Sequence, residues 1–411
     1  MQNTLDTLPV AVIGAGPIGL SAAVHLRNCG YRPILFEAGA QAAANLARWG
    51  HVRMFSPWSY NLDPAATALL RQQGWREPAA DAFPTGRELL QHYLLPLAAH
   101  PEIAPHLHLE TNVRSVSRLH HDVLRTPGRD DAPFVLRVAD PDGERDVIAQ
   151  AVIDASGTYQ TPNWLGAHGL PALGECAAAD AIAYGVPDIL GSARAHYAGK
   201  SVLVVGAGHS AYNALQDLAA LAGEAHGTNV LWGVRCTALS RIVRSPANDA
   251  LQERRRLEER IQELLALEQV QTFTGLEIEA IERQDDKLIV RGSAGQLLPV
   301  DRIIAATGFR PDLSLLAELR LSLDPTTQSP TRLAPLIDPN LHSCGSVPEH
   351  GITELSHPER GVYTLGIKSY GRAPTFLLRT GYQQVRSVVG ALGTAAATAP
   401  PCSAPVSACQ G

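Results

Sequence analysis

Cysteine is scarce in this chain, six in 411 residues, and no two of the six stand in a C-x2-C or C-x4-C arrangement. The nearest two, Cys402 and Cys409, lie in the terminal segment. A dithiol electron relay, which needs two thiols at such a spacing, is therefore not expected. Histidine and cysteine do not gather at zinc-like spacing either, so no metal site is expected. No apolar run approaches the ~20 residues of a membrane span. An excess of basic charge is also missing. Against 34 Lys and Arg stand 40 Asp and Glu, and the net charge of −6 gives no footprint for nucleic acid. Met1–Pro9 is polar, with no basic region leading into a long apolar stretch, so no secretory signal is expected and the expected location is cytoplasmic.

Two glycine-rich fingerprints half a chain apart dominate what is present. The first is Val10-Ala11-Val12-Ile13-Gly14-Ala15-Gly16-Pro17-Ile18-Gly19, with Glu37 at the end of the next apolar run. The second is Ser201-Val202-Leu203-Val204-Val205-Gly206-Ala207-Gly208-His209-Ser210-Ala211, followed by the run Val230–Val234 and Arg235. In each, a buried strand feeds a glycine turn, a second glycine lets backbone approach a pyrophosphate, and a third small residue packs helix on strand. The helix N-terminus then offers N–H groups and positive dipole to the phosphates. Each copy follows a strand-like run and precedes a helix-like stretch, Leu20–Asn28 and Tyr212–Ala222, which is the context the motif requires.

The residue after each second strand distinguishes the nucleotides. Glu37 stands where a carboxylate accepts from a ribose, so the first site needs a free 2′-hydroxyl and suits FAD or NAD. Arg235 takes the matching place in the second copy, where a guanidinium grips a 2′-phosphate, and Arg241 and Arg244 add charge. Three solvated arginines on a loop are the alternative. The sequence is read as FAD first and NADPH second.

With 45% hydrophobic and 18% charged residues, the chain has apolar material for large cores. At ~150 residues per domain it divides into two or three. An aromatic-rich stretch runs from Trp49 to Asn61, and a helix-like segment covers Gly86–Leu97. Strand patterns appear at Leu107–Val116, Phe134–Val138, Val152–Ala155, Val270–Ile281, Lys287–Val290 and from Arg302. Leu251–Gln269 reads as an amphipathic helix with Leu257, Ile261, Leu264 and Leu265 on one face. The turns Asp154–Gly157 and Ala306–Gly308 mark crossings between domains. The expected fold is α/β, with two Rossmann-like three-layer ββα dinucleotide-binding domains, the NADPH domain inserted into the FAD domain. Its boundaries are residues 1–164 and 301–392 for FAD, 165–300 for NADPH, and an Ala/Pro/Ser-rich disordered tail over 393–411. A long last helix is expected to begin near Pro374, with the N–H groups of Thr375 and Phe376 facing a flavin carbonyl, or else to be an ordinary packing helix.

Both fingerprints, Glu37, Phe83-Pro84-Thr85 with Tyr93-Leu94, Thr111-Asn112-Val113 with Val116, Asp154–Gly157 and Ala306–Phe309 resemble the flavin-containing (class B) monooxygenases. His51–Trp58, Tyr197–Lys200, Asp338–Gly345 and Lys368–Phe376 are similar to the flavin-dependent monooxygenases assigned to arsenic-resistance operons, and the resemblance covers residues 10–392. It implies FAD contacts at Gly14, Gly16, Pro17, Gly19 and Glu37, adenine packing at Val113 and a flavin-side contact from Trp49. Gly157, Lys368, Pro374, Thr375, Thr307 and Gly308 join the expected cofactor-binding residues, as do Gly206, Gly208, His209, Ser210, Ala211, Arg235 and Arg241 in the second site. Asn61 is similar to the asparagine between flavin and nicotinamide in these enzymes. The gap from Trp49 to Asn61 departs from the family's, as do Gly191 and His196 in their separation and histidine at position 209.

The resemblance implies an NADPH-dependent FAD monooxygenase that oxygenates a small soft nucleophile (thiol, thioether, amine or trivalent arsenical) through a flavin C4a-hydroperoxide. Its partners are then a small-molecule substrate and dioxygen, with homodimerisation left open. Asn61, Arg53, His51 and Trp58 are placed around the flavin face. Each has a plain alternative: core for Trp58, a loop cap for His51 and a phosphate partner for Arg53. An NADPH–flavin reductase or oxidase acting on a thiol, quinone or metalloid without oxygen insertion remains open, with Cys344 between His342 and His350 as a thiolate or a small buried side chain. A redox sensor binding both nucleotides ranks last.

Overall fold

Along β1 (Val10–Ile13) every side chain is buried, and a strand's period of two sends them to opposite faces. Val10 and Val12 pack against the helix Pro17–Asn28, whereas Ala11 and Ile13 pack against an antiparallel meander. Burial on both faces explains the unbroken apolar run, the mark of a parallel sheet covered on each side.

Residues 7–243, 252–341 and 347–395 are described in this computed structural model. β2 (Pro33–Phe36) and β3 (Leu107–His108) widen the sheet, and the meander is β4 (Asn112–Arg118), β5 (Phe134–Asp140) and β6 (Gly143–Ala149). β7 (Ala151–Asp154) returns beside β1. The scheme then repeats: β8 (Ile182–Tyr184), β9 (Ser201–Val205), the helix His209–Glu224, β10 (Asn229–Val234), the helix Gln252–Ala266 and β11 (Gln271–Thr274). A second meander of β12 (Ile278–Gln284), β13 (Lys287–Gly292) and β14 (Leu297–Val300) leads to β15 (Arg302–Ala305), and β16 (Val362–Thr364) completes the first sheet. The two sheets have the orders β16-β7-β1-β2-β3 and β11-β10-β9-β15-β8, parallel throughout. Each is a layer between a meander and a helix, the three-layer arrangement expected from the sequence. In the second unit Val202, Val204 and Trp232 face the helix His209–Glu224, while Leu203, Val205 and Leu231 face the meander. Ile261 and Leu264 of the amphipathic helix are buried in that same core.

Some expected boundaries move. β15 pairs with both β9 and β8, so the second sheet runs to Ala305, past the boundary at residue 300. The stretch Leu107–Val116 divides because Glu110 turns at φ 50°, and β3 and β4 enter different sheets. The stretch Val270–Ile281 divides likewise at Gly275, φ +64°. The last helix begins at Leu378, not near Pro374, and runs to Ala395, beyond the expected start of the tail. The helix from Gly86 to Ala98 widens to π-helical turns at Leu90–Leu94. Pro96 has no N–H for the carbonyl of His92, and the indole N–H of Trp75 donates to that carbonyl instead, at 2.7 Å.

A buried ionic knot ties the first meander to the chain's return. Glu359 accepts from Arg118 Nε (2.8 Å), from Arg129 Nε and Nη2 (3.0 and 2.8 Å), and from the N–H of Arg320 (3.1 Å). Burial alone would raise its carboxyl, but the bonds from Arg129, Arg118 and Arg320 outweigh that and hold its pKa below the ordinary value. Glu359→Gln should therefore cost about 3–5 kcal/mol in urea unfolding, since it strands two buried guanidinium groups. A depressed folded pKa means that this contribution is complete above the ordinary glutamate value of about 4.3 and is lost as pH falls through the lower, folded value. The E359Q protein should lack that component of the acid-unfolding profile.

Candidate functional site

The first cradle lies at the carboxyl ends of β1 and β7, where the strand order reverses and open α/β sheets leave a crevice. Gly14 turns there at φ +92°, and a Cβ on it would lie 2.8 Å from Ala155 O and Ser156 Cα. A Cβ on Gly19 would overlap the Gly14 carbonyl, whereas one on Gly16 meets nothing within 4 Å. The three glycines thus have three tasks: turn, open approach and helix–strand packing. Gly16 caps the helix without any side-chain acceptor, and Pro17 fills the first turn where no N–H is needed. The free N–H groups and the empty space above Gly16 fit a pyrophosphate.

Glu37 is fixed beside this turn. Its carboxylate accepts the N–H of Ala15 and of Gly39, both at 3.0 Å, and burial raises its pKa against the pull of those two bonds. Lone pairs remain on both oxygens for ribose hydroxyls. Val113 is buried in β4, Trp49 packs against Gly86, and Gly157 follows the β7 turn at φ +74°.

Gly206 repeats the construction at φ +139°, where a Cβ would collide with the carbonyl of Ala306. Gly208 again faces open space and caps the helix without a side-chain bond. Ala211 takes the third position, fully buried. The indole N–H of Trp232, itself fully buried, donates to Gly206 O at 2.7 Å and pins the turn. His209 and Ser210 open the helix, and the His209 ring lies 5.5 Å from Phe55 of the aromatic-rich stretch. Arg235 is exposed just past β10 and forms no ion pair among the described residues, so its guanidinium is available. Arg241 ends the turn Leu239–Arg241, while Arg244 and Cys344 lie outside the described residues.

Thr307 and Gly308 sit on the crossing between the units. Thr307 Oγ1 donates to Asn163 O (2.6 Å) and Asn163 N–H donates to Gly308 O (2.9 Å), so the two crossing segments run side by side. The expected reactive group is not assembled as a cluster. Asn61 is fully buried, and its amide closes on Ser56, accepting from the hydroxyl and donating to the carbonyl, each at 2.8 Å. That amide is occupied within its own turn and is not presented to a ligand. Arg53 donates to Phe83 O at 2.6 Å, and His51 lies near Asp188 with its pKa lowered by burial. Trp58 is core. Pro374 and Thr375 precede the last helix, so the Thr375 and Phe376 N–H groups do not form its N-terminus.

Lys368, one of the expected cofactor-binding residues, has partners at the first cradle that no local signature in the sequence reveals. Lys368, fully buried, pairs with the equally buried Asp154 at 2.9 Å and donates to Ser156 Oγ at 2.8 Å. Lysine and serine join through tertiary structure alone, 212 positions apart.

Residues 11–332 match the family described as Pyridine nucleotide-disulphide oxidoreductase. A comparison with curated proteins gives no match. Among solved structures, the chain is similar to a bacillithiol disulfide reductase from Bacillus cereus, with 18% identity, TM-score 0.68, and coverage of 94% of this chain and 99% of that one. It is similar to an ornithine N-hydroxylase from Kutzneria sp. 744, with 16% identity, TM-score 0.64, and coverage of 95% and 100%. A flavin-containing monooxygenase from Stenotrophomonas maltophilia has 23% identity, TM-score 0.56, and coverage of 96% and 100%. At these identities the likeness establishes the fold, and reductases and oxygenases share it.

The glycine geometry separates folding from binding. Gly16→Ala and Gly208→Ala should change unfolding by no more than about 0.5 kcal/mol, as at an open surface site, yet each should weaken the dinucleotide at its own cradle. Gly14→Ala should lower the melting temperature as well. Thermal melts and flavin or nucleotide fluorescence titrations on the three proteins check this.

Proposed function

The chain belongs to the pyridine nucleotide-disulphide oxidoreductase family, and from that premise we propose that it is an NADPH-dependent FAD monooxygenase of small soft nucleophiles. It is a flavin-dependent oxidoreductase, and its cofactors are FAD and NADPH. The carrying observation is the pair of uncapped glycine cradles on one chain that has no closely spaced cysteine pair. Without a dithiol to relay them, electrons collected at the flavin go directly to a small acceptor.

The flavin supplies hydride acceptance and reaction with dioxygen when bound. The protein's own contribution is placement. Gly14, Gly16 and the helix from Pro17 receive the FAD pyrophosphate, and Glu37 accepts from its ribose. Gly206, Gly208 and the helix from His209 receive the second pyrophosphate, and Arg235 holds the 2′-phosphate. We assign FAD to the unit built from both ends of the chain and NADPH to the inserted unit. Phe55, whose ring lies beside that of His209, brings apolar surface to the side where the units meet and limits water there. The substrate is proposed as a thiol, thioether, amine or trivalent arsenical, with dioxygen as co-substrate.

The closed Asn61–Ser56 pair favours a second reading, an NADPH–flavin reductase or oxidase without oxygen insertion, because the expected amide is not free to hold an oxygenated cofactor.

Two measurements decide. Arg235→Ala should raise KM for NADPH by roughly 10–100-fold, the worth of a charged hydrogen bond, and leave KM for NADH nearly unchanged. Equal changes would remove the nucleotide assignment. With labelled dioxygen and a thioether or trivalent arsenical, the monooxygenase places one labelled oxygen in product and releases little peroxide. Stoichiometric peroxide and an unlabelled product would establish the second reading instead.

A further inference from the structure

Lys368, which the resemblance places among the cofactor-binding residues, is the most deeply buried cation at the first cradle, and the roles given above leave open how it acts. Its ammonium lies 2.9 Å from Asp154 Oδ2 and donates to Ser156 Oγ at 2.8 Å. Ser156 donates its hydroxyl (2.7 Å) and its N–H (3.0 Å) to Asp154 Oδ1. Three residues thus close a ring on the turn that follows β7. Gly14 rests on the backbone of that turn, so the ring sets the floor beneath the first fingerprint.

Lys368 is held just as firmly from its own side. It lies in the turn Gly366–Tyr370 after β16, and Leu365 N–H donates to Asp154 O at 2.9 Å. Gln384 accepts from Gly366 N–H (2.8 Å) and donates to Ser369 Oγ (2.9 Å), which fixes the turn against the last helix. Gly366 itself packs on Ile18, the second residue of the fingerprint helix. One ammonium N–H is donated to Ser156 Oγ, while the contact with Asp154 is an ion pair whose Oδ2 accepts no hydrogen bond. Beside it the hydroxyl of Thr364, paired in register with Asp154, is buried with no partner. A buried donor and a buried hydroxyl with unused capacity are costly unless something polar meets them.

We infer that Lys368 is a positioning residue of the first dinucleotide site: through Asp154 and Ser156 it fixes the turn that carries Gly14, and it keeps one N–H for the polar part of the ligand. This rests on FAD occupying the first cradle. A buried ion pair placed for stability alone is replaceable by neutral side chains at little cost. One that shapes a binding site is not.

The test uses full-length apoprotein titrated with FAD, followed by quenching of flavin fluorescence, with the absorption maximum of the bound flavin and the apoprotein melting temperature recorded together. Lys368→Met strands Asp154 and should lower both melting temperature and FAD affinity. The double variant Lys368→Met/Asp154→Asn carries no stranded charge. It should melt close to the wild type, yet bind FAD about tenfold or more weakly, as expected for the loss of a charged donor, and with a displaced absorption maximum. Ser156→Ala should fold normally and weaken FAD severalfold. A double variant with wild-type affinity and spectrum would overturn the inference and make the ring purely structural. Should Lys368→Met fail to fold, the double variant and Ser156→Ala still separate the two outcomes. A wild-type apoprotein that takes no FAD would instead defeat the flavin reading itself, which is a separate outcome.

Discussion

Backbone meeting backbone at van der Waals distance is the constraint on which both sites depend. At Gly14 the turn after β1 presses on Ala155 and Ser156, and at Gly206 the turn after β9 presses on Ala306. Neither contact leaves room for a side chain, and both turns have positive φ, which glycine alone adopts without strain. The consequence reaches beyond local geometry. Bringing the turn this close to the neighbouring strand aims the following helix across the end of the sheet, and its uncapped N-terminus then faces the crevice. The parallel sheets, with a meander on one face and a helix on the other, are the scaffold that keeps these two strand ends in register.

The architecture was legible because its signals are dense and local. Val10–Ile13 and Ser201–Val205 are apolar at every position or nearly so, glycines follow them at fixed offsets, and the helices read from Leu20 and Tyr212 are present, each beginning three residues earlier, at Pro17 and His209. Glu37 was equally readable, since its place after the second strand follows from the same spacing. What escaped local reading was set by pairing partners far away in the chain. β15 reads as a buried strand wherever it goes, and only its register with β9 and β8 assigns it to the second sheet. Pro374 lies four positions before the real start of the last helix at Leu378, because proline suits a loop as well as a first turn.

Site chemistry was less legible than the cradles, for a physical reason. The composition of a loop says which donors and acceptors are present, not which of them are consumed internally. Asn61 carries the right amide, yet Ser56 five residues earlier satisfies both ends of it. Lys368 shows the converse. The resemblance marks this lysine as a cofactor-binding residue but says nothing of its burial, which follows from a carboxylate 214 positions away (368 minus 154) at the end of β7. Trp232 likewise reads as core, and it is core, but its indole N–H also pins the second glycine turn.

The two cradles share one construction and differ in how much of the protein closes around them. Around the first stand a buried ion pair, a turn clamped by Gln384 and contacts drawn from both ends of the chain. Around the second, Arg235 is exposed, Gly208 faces open space and His209 meets Phe55 of the other unit at its edge. Preorganised buried donors slow dissociation, since leaving strands each of them, whereas exposed charges act mainly on encounter and selectivity. A site of the first kind suits a nucleotide that stays, and one of the second kind suits a nucleotide that arrives, delivers and departs. That asymmetry is what an enzyme needs when one bound cofactor is recharged by many molecules of another. On the proposed assignment, the burden of specificity falls on Arg235 and the burden of retention on the floor beneath Gly14.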